Sequence, residues 1–303
     1  MPRWLSYSII SAVFWGFWGF VSKLASNAMA PNLNQILATI GLMPVVFLIL
    51  WQEKDEEIEV ELPRNARLGA LFGWATGLLG AFGNLAYYAA MSAGGLTSVV
   101  TPLTALYPFF TVLAAMLLLR ERLNIVQFIG IALALYAVVA LSGGVGGLKQ
   151  LAQGNLLSGW MGYSLLALLL WGLTGLTQKL ACNYISAEQS YVSYVFAFFA
   201  VSLALFFTQN LVWNLSAKDW FVGILGGVLL GTGTLTSFIA YRSGGKASIV
   251  TVLAALYPAL TVLLAVPLLK EKLGVNETIG VVLSLLAGVA IVYEKHPPSE
   301  LSV

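Results

Sequence analysis

Long apolar runs alternate with short polar breaks along the whole chain. A helix that crosses a bilayer needs about 20 predominantly apolar residues. Ten runs meet that need, at about 5–26, 33–51, 67–91, 95–118, 124–142, 156–181, 188–208, 219–241, 246–268 and 275–293. The breaks carry turn residues: Pro31-Asn32, Gly94-Gly95, Gly143-Gly144 and Gly244-Gly245. One break has its own character, Gln52 to Arg67, with six acidic residues and Pro63. It reads as a solvated loop. The pattern predicts ten helices and no strands.

The apolar pattern also repeats. Leu103 to Leu123 reads LTALYPFFTVLAAMLLLRERL, and Leu253 to Leu273 reads LAALYPALTVLLAVPLLKEKL, with 13 identities in 21 positions at an offset of 150. Arg120-Glu121-Arg122 faces Lys270-Glu271-Lys272, and these triplets read as loop anchors. The first helices match at an offset of 156: Trp15, Gly16, Gly19, Lys23, Leu24, Ala25 and Asn27 face Trp171, Gly172, Gly175, Lys179, Leu180, Ala181 and Asn183. Internal similarity of this kind marks one unit used twice. We place the units at 1–150 and 151–303. Each has five spans, so the copies enter the membrane in opposite senses. Such inverted repeats are the architecture of secondary transporters, with a site near the bilayer midplane. The expected fold is an all-α membrane protein, ten transmembrane helices as two inverted five-helix repeats.

Composition agrees and excludes other classes. The chain is 59% hydrophobic and 9% charged, where soluble domains carry roughly a quarter charged residues. The net charge of +2 is too small to point to nucleic acid. Single residues, Cys182 and His296, leave no disulfide framework, no metal cluster and no Ser-His-Asp set. No phosphate-cradling Gly-Lys-Ser/Thr loop is present. The chain is therefore read as not an enzyme, with no cofactor and no metal. The first apolar run lacks a signal-peptide cleavage pattern and reads as a retained helix. With the N-terminus inside, nine Lys and Arg residues fall on the inner side and four on the outer. That bias places both termini in the cytoplasm, which suits a multi-pass protein of the cell (inner) membrane.

Ten spans, two halves, the Trp-Gly pair in the first helix of each half and the Tyr-Pro helix ending in a basic-acidic-basic triplet resemble the drug/metabolite transporter superfamily, nearest its EamA-type branch. The resemblance covers essentially the whole chain and says little about substrate. It implies export or exchange of metabolites such as amino acids. It also implies a central cavity lined by the first, third and fourth helices of each half.

Candidate residues follow from polar and aromatic side chains inside the spans, where lipid offers a polar group no partner. The first helices present Trp15, Trp18, Ser22 and Ser26 at helical spacing, with Trp171, Thr174, Gln178 and Cys182 as counterparts. The third helices carry glycine ladders, Gly69, Gly73, Gly77 and Gly223, Gly227, Gly231, for close packing. Beyond these lie Asn84, Tyr87 and Tyr88, matched by Thr234, Ser237 and Phe238. In the fourth helices, Pro108 and Pro258 cannot bond the carbonyls of Thr104 and Ala254, which are expected to be freed beside Tyr107 and Tyr257. Thr101, Thr111, Thr251 and Thr261 are hydroxyls able to bond backbone or substrate. Lys23 and Lys179 lie near helix ends, either snorkelling to the interface or serving as a gate or anion contact.

The spans contain no carboxylate away from their ends, so a bare cation lacks a counter-charge. The expected cargo is a small neutral, zwitterionic or anionic metabolite such as an amino acid, carried by alternating access. The alternative is a non-transporting membrane scaffold or a subunit of a lipid-handling complex. Expected partners are a small-molecule substrate and the lipid bilayer, with a homodimer left open and no nucleic acid.

Overall fold

The computed structural model describes residues 2–52, 65–110, 124–141, 159–245 and 247–292. Thr111, the Arg120-Glu121-Arg122 triplet and nearly all of the acidic loop lie outside them. The helices are α1 (Arg3–Ala28), α2 (Pro31–Gln52), α3 (Ala66–Ser92), α4 (Thr97–Thr104), α5 (Ile125–Leu141), α6 (Gly159–Cys182), α7 (Ala187–Thr208), α8 (Ala217–Arg242), α9 (Ala247–Ala254), α10 (Pro258–Leu268) and α11 (Val275–Val292). No strand occurs among the described residues. Among the described residues, six helices are long and apolar enough to cross a membrane: α1, α2, α3, α6, α7 and α8. Shorter apolar helices include Pro258–Leu268 and Val275–Ala290.

Starts and stops are locally encoded. Ser186 and Ser216 each accept from the backbone N–H three residues on, while Gln189 and Asp219 reach back to the cap N–H. Both are capping boxes, which satisfy two otherwise orphaned donors. Asn65 caps α3 through the Leu68 N–H.

The fourth spans differ from the expected single helices. Each is broken over three residues, Ala105 to Tyr107 in the first half and Ala255 to Tyr257 in the second. Nor are the two carbonyls freed. Tyr107 N–H donates to Thr104 at 3.2 Å, and Tyr257 N–H donates to Ala254 at 3.2 Å. Proline removes the i→i−4 donor, and the chain answers by tightening one turn to i→i−3 bonds. That ends α4 and α9 four residues before each proline.

The packing is crossed between halves. α1 lies along α8 and α6 along α3; α2 packs on α7 and α8, and α3 on α7. α10 lies against α1, α4 against α6, and α5 pairs with α11. The glycines make these approaches close. A Cβ on Gly227 would overlap the Ala38 carbonyl of α2, and one on Gly77 would overlap the Tyr194 carbonyl of α7. These contacts also set the register of the ladders. Gly73, Gly77 and Gly83 correspond to Gly223, Gly227 and Gly233, an offset of 150. The triplets read from sequence are thus displaced by one turn relative to each other.

Replacing Gly227 by Ala should lower the thermal midpoint of the detergent-solubilised protein, because the overlap is with backbone; overpacking of this kind costs about 1–3 kcal/mol. Gly226→Ala is the control. Its added Cβ would sit 3.8 Å from Val21, so its midpoint should hold or rise. Equal midpoints for the two variants would refute the close approach.

Candidate functional site

Where α1, α3, α6 and α8 cross, a cavity remains. Its empty volume, counted out to its mouth, is about 630 Å³. Nine residues singled out from sequence line it: Trp15, Trp18, Asn84, Tyr107, Trp171, Thr174, Gln178, Thr234 and Tyr257. Ser22, Tyr88 and Phe238 do not, although all three are buried. Ser237 and Thr251 line it too, and Thr76, Tyr194, Leu230 and Tyr241 are further contributors. Tyr194 brings in α7, a second helix of a half, beyond the first, third and fourth helices. Among the described residues, none that lines it carries a formal charge.

The two tryptophans sit on glycines. Trp15 packs on Gly233, and Trp171 packs on Gly83, each closer than a Cβ would permit. Small residues on the third helix thus let the first helix of the opposite half bring its indole inward. Ser11 Oγ donates to the Gly233 carbonyl at 2.8 Å, and Thr261 Oγ1 donates to the Gly16 carbonyl at 2.8 Å. These bonds tie α1 to α8 and α10. Polar groups held between helices in this way are satisfied where lipid could not serve them.

The wall beside the breaks is a hydroxyl relay. Tyr241 Oη and Thr251 Oγ1 are 2.6 Å apart, and Tyr107 Oη donates to the Thr251 carbonyl at 3.3 Å. In the other half Tyr87 Oη and Thr101 Oγ1 are 2.7 Å apart. The paired threonines are equivalent, but their tyrosines come from one turn apart on the third helices.

The cavity is lopsided. It reaches Gln178 near the end of α6, Tyr241 near the end of α8 and Thr251 one turn into α9. Those three ends lie together: Arg242 Nη1 donates to the Cys182 carbonyl at 3.3 Å, and Lys179 Nζ to the Gly245 carbonyl at 3.2 Å. Toward the other end it stops at Trp18. There Trp18 stacks on Tyr87 with centroids 4.9 Å apart and meets Trp171 at 5.7 Å. Trp18 Nε1 also donates to Tyr88 Oη at 3.4 Å. Ser22 and Tyr88 belong to this closed end, which is why they leave the lining. The residue matching Trp18 in the second half is Thr174, and the one matching Tyr87 is Ser237.

The lysines do not line the cavity. Lys23 Nζ donates to the carbonyls of Met91 at 3.1 Å and Gly95 at 2.9 Å, as Lys179 does to Gly245. For Lys23 this places a cation on the last turn of α3, the negative end of its dipole. Both lysines thus tie the first helix of a half to the turn after its third.

Glu271 is more than a loop anchor. Its carboxylate accepts from Thr97 N–H and Ser98 N–H, each at 2.8 Å, and from Ser98 Oγ. It therefore caps the N-terminus of α4, in the opposite half, where a negative charge is favoured. Lys270, just before it, holds φ of 55°. This left-handed turn ends α10 and aims Glu271 at α4.

Replacing Thr251 by Val should cost about 1 kcal/mol by unpairing Tyr241. Tyr241→Phe should cost a similar amount, and the double variant less than the sum. Thermal unfolding of the four proteins reads this out; strict additivity would deny the bond.

A model described as the EamA-like transporter family matches residues 2–143 and 158–293. No curated protein matches the chain. A protein of known crystal structure shares the fold, with a TM-score of 0.67 at 15% sequence identity, covering 96% of this chain and 97% of that one.

Proposed function

The chain belongs to the EamA-like transporter family, and on that premise we propose that it is a secondary transporter of small neutral or zwitterionic metabolites, amino acids and related compounds foremost. The observation that carries this reading is the cavity itself. It sits where the crossed halves meet, and its described lining is indole, phenol, hydroxyl and amide groups with no fixed charge among them. Aromatic faces attract a cation by only about 0.5–2 kcal/mol each, whereas bringing a bare charge to the midplane costs at least about 2.5 kcal/mol on insertion scales. An anion is the weaker candidate because both lysines are engaged on backbone carbonyls.

The architecture proposed is ten spans in two inverted five-helix halves, 1–150 and 151–303. The Glu271 contact supports it, since it joins the end of the second half's fourth span to the start of the first half's. Alternating access then means rocking of the halves about the cavity. The lysine and arginine bias supports cytoplasmic termini in the cell (inner) membrane. Export or exchange rests on family resemblance.

Purified protein in liposomes should give saturable flux of amino acids or neutral metabolites, reduced when Gln178 or Trp171 is replaced by Ala. Flux confined to quaternary ammonium compounds would overturn the charge argument. No flux of any solute would favour the non-transporting scaffold. For topology, single cysteines at Asn124 and Gly274 in a Cys182→Ser background should label from opposite faces of intact cells. Labelling from one face would sink the inverted repeat.

A further inference from the structure

The end of the molecule at which the cavity stops is also where Glu271 holds α4. We infer that this carboxylate is the latch of that end: while it caps α4, the cavity is shut there, and opening requires its release. The inference deepens the transporter reading and rests on it.

Three observations carry it. The first is the strength and placement of the contact. One side chain from the second half takes two backbone N–H groups and one hydroxyl from the first. Bonds to an ionised acceptor are roughly twice as strong as neutral ones. The second is the continuity from latch to plug. One turn along α4 from Thr97, Thr101 is bonded to Tyr87; Tyr87 stacks on Trp18, and Trp18 ends the cavity. The third is the shape of α4. It is eight residues long, clasped at its start and ended by the break at Ala105 to Tyr107. A short helix between a clasp and a break can swing as a unit, with the φ/ψ change absorbed at the break. If α4 swings, Thr101 leaves Tyr87 and the aromatic stack loses its support. Lys270, in its left-handed conformation, fixes the direction from which Glu271 approaches.

A two-state latch moves both ends at once, and that separates it from a stabilising contact. In a Cys182→Ser background, Ser22→Cys reports on the closed end and Gln178→Cys on the cavity. The protein is held in nanodiscs, so that a charged thiol reagent reaches both faces. Adding Glu271→Gln should speed labelling at position 22 roughly tenfold and slow it at position 178, because a population gained by one state is lost by the other. Ser98→Ala removes one of the three bonds and should shift both rates the same way by less; it carries the test if Glu271→Gln does not fold. An unchanged rate at position 22, or equal acceleration at both positions, would overturn the latch. Failure of the transport reading looks different: reciprocal labelling with no flux of any solute.

Discussion

The structure depends on backbones approaching one another in a solvent that does not push them together. Lipid is as apolar as leucine, so helices in it associate through close packing and interhelical hydrogen bonds. Here Gly227 meets the backbone of Ala38 and Gly77 that of Tyr194, each closer than a Cβ would permit. Both join the third helix of one half to the second helix of the other. The same bareness at Gly83 and Gly233 admits two indoles from the first helices. The contacts that hold the halves together therefore also build the walls of the cavity.

Polar satisfaction is the second constraint. Where proline interrupts the fourth spans, the carbonyls are recovered by a tighter turn rather than left for a ligand. The buried hydroxyls of Tyr87 and Thr101, and of Tyr241 and Thr251, close on each other, and that of Tyr107 closes on the Thr251 carbonyl. Charge is treated the same way. Two lysines and one glutamate at membrane depth or its edge each end on a backbone group at a helix terminus or turn. The described lining of the cavity is thus left without charge because these charges are used on the frame.

The helical class, the two-repeat build and the membrane setting were legible from apolar runs and from the offsets of 150 and 156. Trp15 and Trp171 were legible because both copies keep the indole. Tyr194 was not: its counterpart in the first half is Ala38, a packing residue, so the repeat carries no sign of it. Tyr241 stands where the first half has Met91, and was hidden for the same reason. Ser22 and Tyr88 were chosen on a correct helical face, but periodicity says which way a residue points and not at what depth a cavity ends. The breaks were placed too late because a proline announces a missing donor, while the turn that replaces it begins three residues earlier. Glu271 was undervalued because its partner lies in the other half, beyond any local pattern.

The mismatch between Trp18 and Tyr87 at one end and Thr174 and Ser237 at the other has a thermodynamic consequence. A duplicated fold with identical ends could occupy its two orientations equally. With a stacked aromatic cluster on one side and small hydroxyl residues on the other, the orientations differ in energy before any solute arrives. Under the proposed alternating access, a solute approaching the stacked side meets a receptive form that is the minority species. Its apparent affinity there is weaker by the fraction of molecules in that form. In that scheme the gradient alone still decides where net flow ends, but the two faces of the same cavity saturate at different concentrations.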